Sequence, residues 1–185
     1  MRDSDVHRTL HELTADLERA GIPYAIVDAL ALNEYGYERV TTDVDVLLTR
    51  ESLAVFKQQF LGRGYVEKFP GSKGMRNTRH NVTIDVLLTG EYPGDGKPKP
   101  IQFPDPAIAA SRGPEMSLLP IPSLAELKLA SGMTAPGRLK DLADVQEWIK
   151  AAKLPRELSE QLDPYVRDKY LQLWDDAQIP DIYNP

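Results

Sequence analysis

The chain has 185 residues, of which 42% are hydrophobic and 27% charged, a balance typical of a globular rather than a disordered protein. It contains no cysteine, which excludes disulfides and thiolate metal sites, and its net charge of −6 argues against a basic surface that holds nucleic acid nonspecifically. No apolar run approaches the roughly 18 residues of a membrane-spanning helix, and the polar N-terminus lacks a signal-peptide core. We therefore expect a cytoplasmic protein without membrane contact.

The first half of the chain predicts alternating helices and strands. Apolar residues from Val6 to Leu17 recur at helical spacing, and Gly21 ends the helix that they predict. Short runs of β-branched and aliphatic residues, bounded by polar residues or turns, predict the strands. In chain order these elements are a helix at 6–20, a strand at 24–27, helix 29–35, strand 44–48, helix 52–61, and strands at 65–69, 75–80 and 82–88.

The second half begins with the segment 90–106, which is dense in proline and glycine. It predicts an irregular loop, either a plain connection or a lid over a site. Ser123 and Glu126 have the spacing of a capping box at the start of a helix. The elements predicted beyond the loop are a strand at 118–121 and helices at 123–129, 136–152 and 165–177. We therefore predict an α+β protein with a core domain at 1–122 and a helical C-terminal segment, 123–185, packed on it.

Three aspartates lie within predicted strands. Asp43-Val44-Asp45 opens one strand, and Asp85 lies in a second strand of similar sequence. An unpaired carboxylate is costly to bury, and residues two apart on a strand share a face. Asp43 and Asp45 are therefore side by side, and an adjacent strand could bring Asp85 beside them. Three carboxylates on one face suit Mg²⁺, whereas a single Asp at a strand end is usually a solvated edge or a turn residue.

A local basic run surrounds the predicted hairpin at 65–80, and two interpretations of it stay open. It could steer a triphosphate or an RNA acceptor despite the acidic total, or it could be a plain solvated hairpin. Its members are Arg63, Lys68, Lys73, Arg76, Arg79 and His80.

The segment 21–36 precedes the stretch from Arg39 to Asp45, which reads Arg-Val-Thr-Thr-Asp-Val-Asp. Together they resemble the opening of the DNA polymerase β-like nucleotidyltransferase superfamily, in which a strand, a small-residue turn and a helix precede an Arg-x-Thr-x-Asp-x-Asp strand. The chain is most similar to small bacterial nucleotidyltransferases of the abortive-infection and toxin–antitoxin types; antibiotic nucleotidyltransferases are more distant. The resemblance covers 17–88 and continues through 124–150, where Lys128 and Lys140-Asp141 look like the downstream helical motif.

The resemblance implies the nucleotidyltransferase fold, a mixed β-sheet that carries the three Asp with helices packed on it. It also implies Mg²⁺-dependent transfer of a nucleoside monophosphate from a nucleoside triphosphate, for example ATP, to a hydroxyl of RNA, a protein or a small molecule. Two Mg²⁺ ions would be bridged by Asp43 and Asp45, and Asp85 would bind the acceptor-side ion and take the hydroxyl proton. The residues that would contact the nucleotide are Asp28, Ala29, Arg39, Thr42 and Lys128.

Plainer roles stay open for several of these residues. Arg39 could form a surface ion pair, and Lys128 could lie on a solvated helix face. The hydroxyls of Thr41 and Thr42 could meet phosphate or hydrogen-bond to the carboxylates.

One position departs from the family pattern. The family turn is typically Gly-Gly or Gly-Ser, but here it is Asp28-Ala29, which places a carboxylate where a triphosphate would bind. Asp28 could cap the following helix, help to hold a cation, or obstruct phosphate binding. The departure therefore keeps a second function open, that of a non-catalytic module that binds a cognate antitoxin or another partner protein.

Overall fold

Seven strands form one mixed sheet within residues 4–180, the part of the chain that the computed structural model describes. The strands are β1 (Ala25–Val27), β2 (Asp43–Leu48), β3 (Tyr65–Glu67), β4 (Met75–Asn77), β5 (Val82–Leu88), β6 (Ser111–Arg112) and β7 (Ser117–Leu118). Their order across the sheet is β3-β4-β5-β2-β1-β7-β6. The β2–β5 and β1–β7 pairs are parallel and the other pairs are antiparallel.

Helices account for most of the remaining regular structure in this part of the chain. They are α1 (Asp5–Arg19), α2 (Asp28–Glu34), α3 (Arg50–Phe60), α4 (Pro106–Ala109), α5 (Ile121–Thr134), α6 (Leu139–Ala152) and α7 (Pro164–Ala177), with 3₁₀ segments at Pro136–Arg138 and Arg156–Gln161. The predicted α+β class is confirmed. The elements that the sequence did not predict, α4, β6 and the 3₁₀ segment after α6, are too short to show a hydrophobic period.

The chain divides into two units. The first comprises the described residues up to Ala31 together with Arg39–Gly90 and Pro104–Leu119, and it contains the whole sheet. The second comprises Leu32–Glu38, Glu91–Phe103 and the described residues from Pro120 onward, and it contains α5, α6 and α7.

The core of the first unit lies on one face of β2 and β5. Val44, Val46, Ile84 and Val86 alternate with polar residues along these strands and are at most 2% exposed. Helix α1 packs against both strands and buries its own apolar stripe, which includes Leu13. Alternation of this kind leaves the other face of the same strands for polar side chains.

Polar contacts anchor α1 to the hairpin formed by β3, β4 and the start of β5. The Tyr65 hydroxyl donates to Asp16 Oδ2 at 2.8 Å, and Asn77 Nδ2 donates to Glu12 Oε2 at 2.9 Å. The His80 ring Nε2 lies 3.1 Å from Glu12 Oε1. Burial, together with the hydrogen bond to Asp16, raises the pKa of the Tyr65 hydroxyl, so the tyrosine stays neutral and donates.

In the second unit the three long helices pack against one another, and Trp148 on α6 is fully buried. Its ring Nε1 donates to the backbone carbonyl of Tyr35 at 3.2 Å. Helices α5 and α6 approach closely at Gly132, where an added Cβ would lie 2.5 Å from Leu142 Cγ. Among residues 4–180, no helix combines the length and hydrophobicity that crossing a bilayer requires.

The capping box predicted at Ser123 is wrong. Helix α5 starts earlier, directly after Pro120, and Pro122 is accommodated in its first turn, where a missing backbone N–H costs little. Ser123 therefore lies inside the helix, and the Glu126 carboxylate instead accepts the backbone N–H of Asp163 at 2.6 Å.

The loop between β5 and α4 contains no helix or strand, and it is organised around one ammonium group. Lys99 Nζ donates to the carbonyls of Pro93 at 2.7 Å and Lys97 at 2.8 Å, and to the Asp95 carboxylate at 2.7 Å. The Lys99 side chain is only 4% exposed. The loop therefore has a specific internal structure without regular backbone hydrogen bonding.

Gly94 in this loop provides a matched pair of variants with Gly96. A Cβ at Gly94 would lie 2.4 Å from Thr134 Oγ1 and 2.8 Å from the Ser131 carbonyl oxygen, whereas a Cβ at Gly96 would meet nothing within 4 Å. Both glycines have positive φ, 76° and 70°. We expect Gly96→Ala to lower the free energy of unfolding by about 1 kcal/mol through backbone strain, and Gly94→Ala by about 3 kcal/mol, because it adds a steric clash. Urea denaturation measures both, and equal losses would contradict the close packing at Gly94.

Candidate active site

Asp43, Asp45 and Asp85 lie on the same face of the sheet. Strands β2 and β5 are parallel neighbours, and their register sets Asp45 directly opposite Asp85 and Asp43 opposite Thr83. All three aspartates are half-buried, while the residues between them point to the buried face. The backbone therefore brings the three predicted residues to one position at the centre of the sheet.

Thr41 and Lys68 contact two of the carboxylates on this face. Thr41 Oγ1 donates to Asp43 Oδ1 at 2.5 Å, which is one of the two roles expected for the threonine hydroxyl. Lys68 Nζ donates to Asp85 Oδ1 at 2.9 Å, and the two side chains are 36% and 40% exposed. Lys68 thus belongs to the site, although the sequence placed it only within a basic run.

The chemical type of the side chains on this face suits a divalent cation. They are carboxylate oxygens, the hard ligands that Mg²⁺ prefers, and Mg²⁺ usually binds one or two carboxylates together with waters and substrate phosphates. Within residues 4–180, no group of three or more acidic or histidine side chains is arranged to enclose a metal ion. Asp43, Asp45 and Asp85 are the residues that would bind one, through the shared face that the register creates.

The turn between β1 and α2 keeps a left-handed conformation without glycine. Asp28 has a φ of 53°, a region that glycine occupies at no cost and that Asp tolerates better than most residues. Arg39 Nη1 donates to Asp28 Oδ1 at 3.2 Å, and both side chains are largely buried, at 26% and 22% exposed. The ion pair with Arg39 compensates the charge of the Asp28 carboxylate.

If this turn binds a nucleoside triphosphate, as the resemblance implies, Asp28→Gly is expected to tighten that binding by about tenfold. The change removes a negative charge, relieves the left-handed backbone and releases Arg39 from its pair, and tenfold is the worth of about one charge-assisted hydrogen bond. Calorimetric titration of a triphosphate with Mg²⁺ measures the effect. Asp28→Asn is the control, because Asn also tolerates positive φ and separates charge from conformation. Weaker binding by the glycine variant would instead assign Asp28 to cation binding.

The other residues predicted to contact a nucleotide lie in different settings. Ala29 is buried in the first turn of α2, at 3% exposed, whereas Thr42 is exposed just before β2. Lys128 belongs to the second unit and lies on α5, which buries most of its residues.

Lys128 lies in a buried cluster of charges. Its Nζ donates to Asp144 Oδ2 at 2.8 Å and to Asp141 Oδ1 at 3.2 Å, and all three side chains are at most 8% exposed. Asp141 also accepts from Ser131 Oγ at 2.6 Å and from Arg138 Nε at 2.8 Å. The alternative of a solvated helix face for Lys128 is therefore wrong. Asp141 and Asp144 stand three apart on α6, and that spacing was the available signal for a shared partner.

The cluster determines the ionisation of Asp141. Burial alone would raise the pKa of this carboxyl group, but the Lys128 charge, the Ser131 hydrogen bond and Arg138 together outweigh burial and hold the pKa below its usual value. Asp141 is therefore ionised at neutral pH and depends on Lys128 for compensation.

Comparisons with known proteins rest on structure. No protein-family model and no curated protein matches the chain by sequence. The crystal structure of ANT(2'')-Ia in complex with adenylyl-2''-tobramycin aligns over 89% of this chain and 96% of that chain, with a TM-score of 0.57 at 11% identity. The solution structure of the antibiotic-resistance factor ANT(2'')-Ia aligns over 91% and 95%, with a TM-score of 0.58 at 13% identity.

A crystal structure of a protein from H. pylori, described as a nucleotidyltransferase, aligns over 94% of this chain and 92% of that chain. Its TM-score is 0.52 at 15% identity. The predicted fold class is therefore confirmed: the mixed sheet and its helices form a nucleotidyltransferase fold.

Proposed function

We propose that this protein is a Mg²⁺-dependent nucleotidyltransferase that moves a nucleoside monophosphate from a nucleoside triphosphate to a hydroxyl acceptor. The observation that supports this most directly is the register of β2 and β5, which places Asp43, Asp45 and Asp85 on one half-buried face within a nucleotidyltransferase fold. A structural role alone does not explain three carboxylates there, because like charges on adjacent strands repel.

In the proposed reaction the acceptor hydroxyl oxygen attacks the α-phosphorus, and the bond from that phosphorus to the bridging oxygen breaks. Pyrophosphate leaves with the electron pair of that bond, and the hydroxyl proton passes to the carboxylate of Asp85. Asp43 and Asp45 would hold the divalent ions, with Thr41 orienting Asp43 through its hydrogen bond. Bound Mg²⁺ would lower the pKa of the hydroxyl and stabilise both the attacking and the leaving oxygen.

The triphosphate would be oriented by the turn at Asp28 and Ala29, by Arg39 and by the exposed hydroxyl of Thr42. The crystal structure of ANT(2'')-Ia contains adenylyl-2''-tobramycin, which supports a small molecule as one candidate class of acceptor. Hydroxyls of RNA and of proteins are the other candidates. The nucleotide-binding role of Lys128 stays a prediction, which a variant at that position tests.

The first test is calorimetric titration of each of the four nucleoside triphosphates into the wild type and Asp43→Ala, with Mg²⁺ and with a chelator. We expect saturable, Mg²⁺-dependent binding to the wild type that Asp43→Ala loses. Asp168→Ala is the control, because Asp168 is exposed on α7. Absence of binding to the wild type would contradict the proposal and would turn the search to protein partners, in line with the alternative of a binding module of a toxin–antitoxin pair.

A further inference from the structure

The ammonium group of Lys68 forms an ion pair with Asp85, the third carboxylate of the candidate site. Lys68 directly follows β3, and its Nζ lies 2.9 Å from Asp85 Oδ1. Asp85 is 40% exposed, so an ion from solvent can reach it. Because water can solvate the Asp85 carboxylate, its charge does not need a lysine for compensation in the way that a buried charge would.

The turn between β3 and β4 positions the Lys68 side chain. Its backbone N–H donates to the Gly74 carbonyl at 3.1 Å. A Cβ at Gly74 would lie 2.7 Å from Lys68 Cδ and 3.6 Å from Asp85 Oδ1. The Lys68 side chain thus passes directly over Gly74, and the absence of a side chain there leaves room for it to reach Asp85.

The rest of the turn is held by side chains that do not touch Asp85. Lys57 Nζ donates to Glu67 Oε1 at 2.6 Å and also to the Ser72 carbonyl. Glu67 Oε2 accepts the Gly71 N–H at 2.8 Å, and Ser72, which is buried, donates to the Gly74 carbonyl at 3.1 Å. These contacts fix the turn that presents Lys68, so the ion pair with Asp85 rests on a defined backbone.

An ammonium group and a divalent ion on one carboxylate repel each other, and the repulsion is large where water is partly excluded. We propose that Lys68 supplies the positive charge at Asp85 that a second metal ion would otherwise supply, so that the site holds a single divalent ion, on Asp43 and Asp45. This inference rests on the proposed function. The sequence predicts two Mg²⁺ ions, one of them on the acceptor side at Asp85. Under this inference that ion is absent, and the ammonium group of Lys68 takes its place.

The test counts bound ions with Mn²⁺ alone as the probe. MnCl₂ is titrated into the full chain, and the free ion is measured from its electron paramagnetic resonance signal. We expect one bound Mn²⁺ per chain for the wild type, two for Lys68→Met, and one for Lys68→Arg, which keeps the charge. Lys169→Met is the control, because Lys169 lies on α7 and donates to Gln172. Thermal melting in chelator checks that each variant folds.

The outcomes separate this inference from the proposed function on which it rests. Two ions on the wild type would overturn the role of Lys68 and leave the proposed function standing. One ion on both the wild type and Lys68→Met would also overturn the role of Lys68 and leave the proposed function standing. No bound ion on either protein would overturn the metal-dependent function itself, and the role of Lys68 with it.

Discussion

Asp45→Asn is expected to reduce nucleotidyl transfer by at least about a thousandfold, equivalent to roughly 4 kcal/mol of transition-state stabilisation. Asn keeps the size of the side chain but lacks the negative charge that would hold a divalent ion under the proposed function. In chelator the melting temperature should stay nearly unchanged, because the substitution removes one charge from a face that carries three carboxylates. Initial transfer rates and thermal melting measure the two effects.

Asp168→Asn is the matched control for this prediction. It makes the same chemical change on an exposed face of α7, so neither the transfer rate nor the melting temperature should change. If Asp45→Asn instead lowered the melting temperature in chelator by many degrees, Asp45 would have a structural role, and the assignment of this face as a metal site would fail.

Lys128→Met is expected to lower the free energy of unfolding by about 3–5 kcal/mol, the usual cost of removing one partner from a buried ion pair. Asp141 and Asp144 would then be buried without the ammonium group that lies 3.2 and 2.8 Å from them. Urea denaturation measures the loss. Lys140→Met removes a lysine from an exposed position on α6 and should cost less than about 0.5 kcal/mol.

A triple variant distinguishes uncompensated charge from lost packing. Lys128→Met combined with Asp141→Asn and Asp144→Asn leaves no unpaired charge among these three positions, so it should be more stable than Lys128→Met alone. A Lys128→Met protein that kept its stability but lost triphosphate binding would contradict the structural role and support the predicted nucleotide contact.

The loss caused by Lys128→Met should also depend on pH. In the wild type the lowered pKa of Asp141 contributes stability above the unfolded pKa of about 3.9 and loses it as pH falls through the folded value. In the variant, burial without Lys128 would raise the pKa of Asp141, so acidification protonates the group and relieves the penalty. The difference between the two proteins should therefore be largest at pH 7 and shrink toward pH 4. An equal difference at both values would exclude an electrostatic origin.

The face shared by Asp43, Asp45 and Asp85 could be predicted because strands have a period of two and the two segments are alike in sequence. The sequence suggested that β2 pairs with β5 but did not determine it, because parallel register depends on contacts between distant segments. The contact of Lys68 with Asp85 depends on the hairpin turn and on the missing side chain at Gly74, neither of which sequence spacing determines.

Lys128 shows why the second unit was harder to interpret. A lysine on a helix is usually solvated, but α5 is apolar on most sides, and the compensating carboxylates come from another helix. The start of α5 was misplaced for a local reason: Ser123 and Glu126 have the spacing of a capping box, but the helix already begins after Pro120, because proline at position 122 is well accommodated in a first helical turn.

The anchoring of α1 sets an order of events during synthesis. Its polar contacts with Tyr65, Asn77 and His80 join residues 49, 65 and 68 positions apart, so α1, which is synthesised before the hairpin, docks only after the hairpin has followed it. Closing such long loops precedes any gain from the contacts, which makes this docking slow. A nascent chain that stops before β5 would leave uncovered the part of the apolar stripe of α1 that packs on β5, and exposed apolar surface of this kind promotes aggregation.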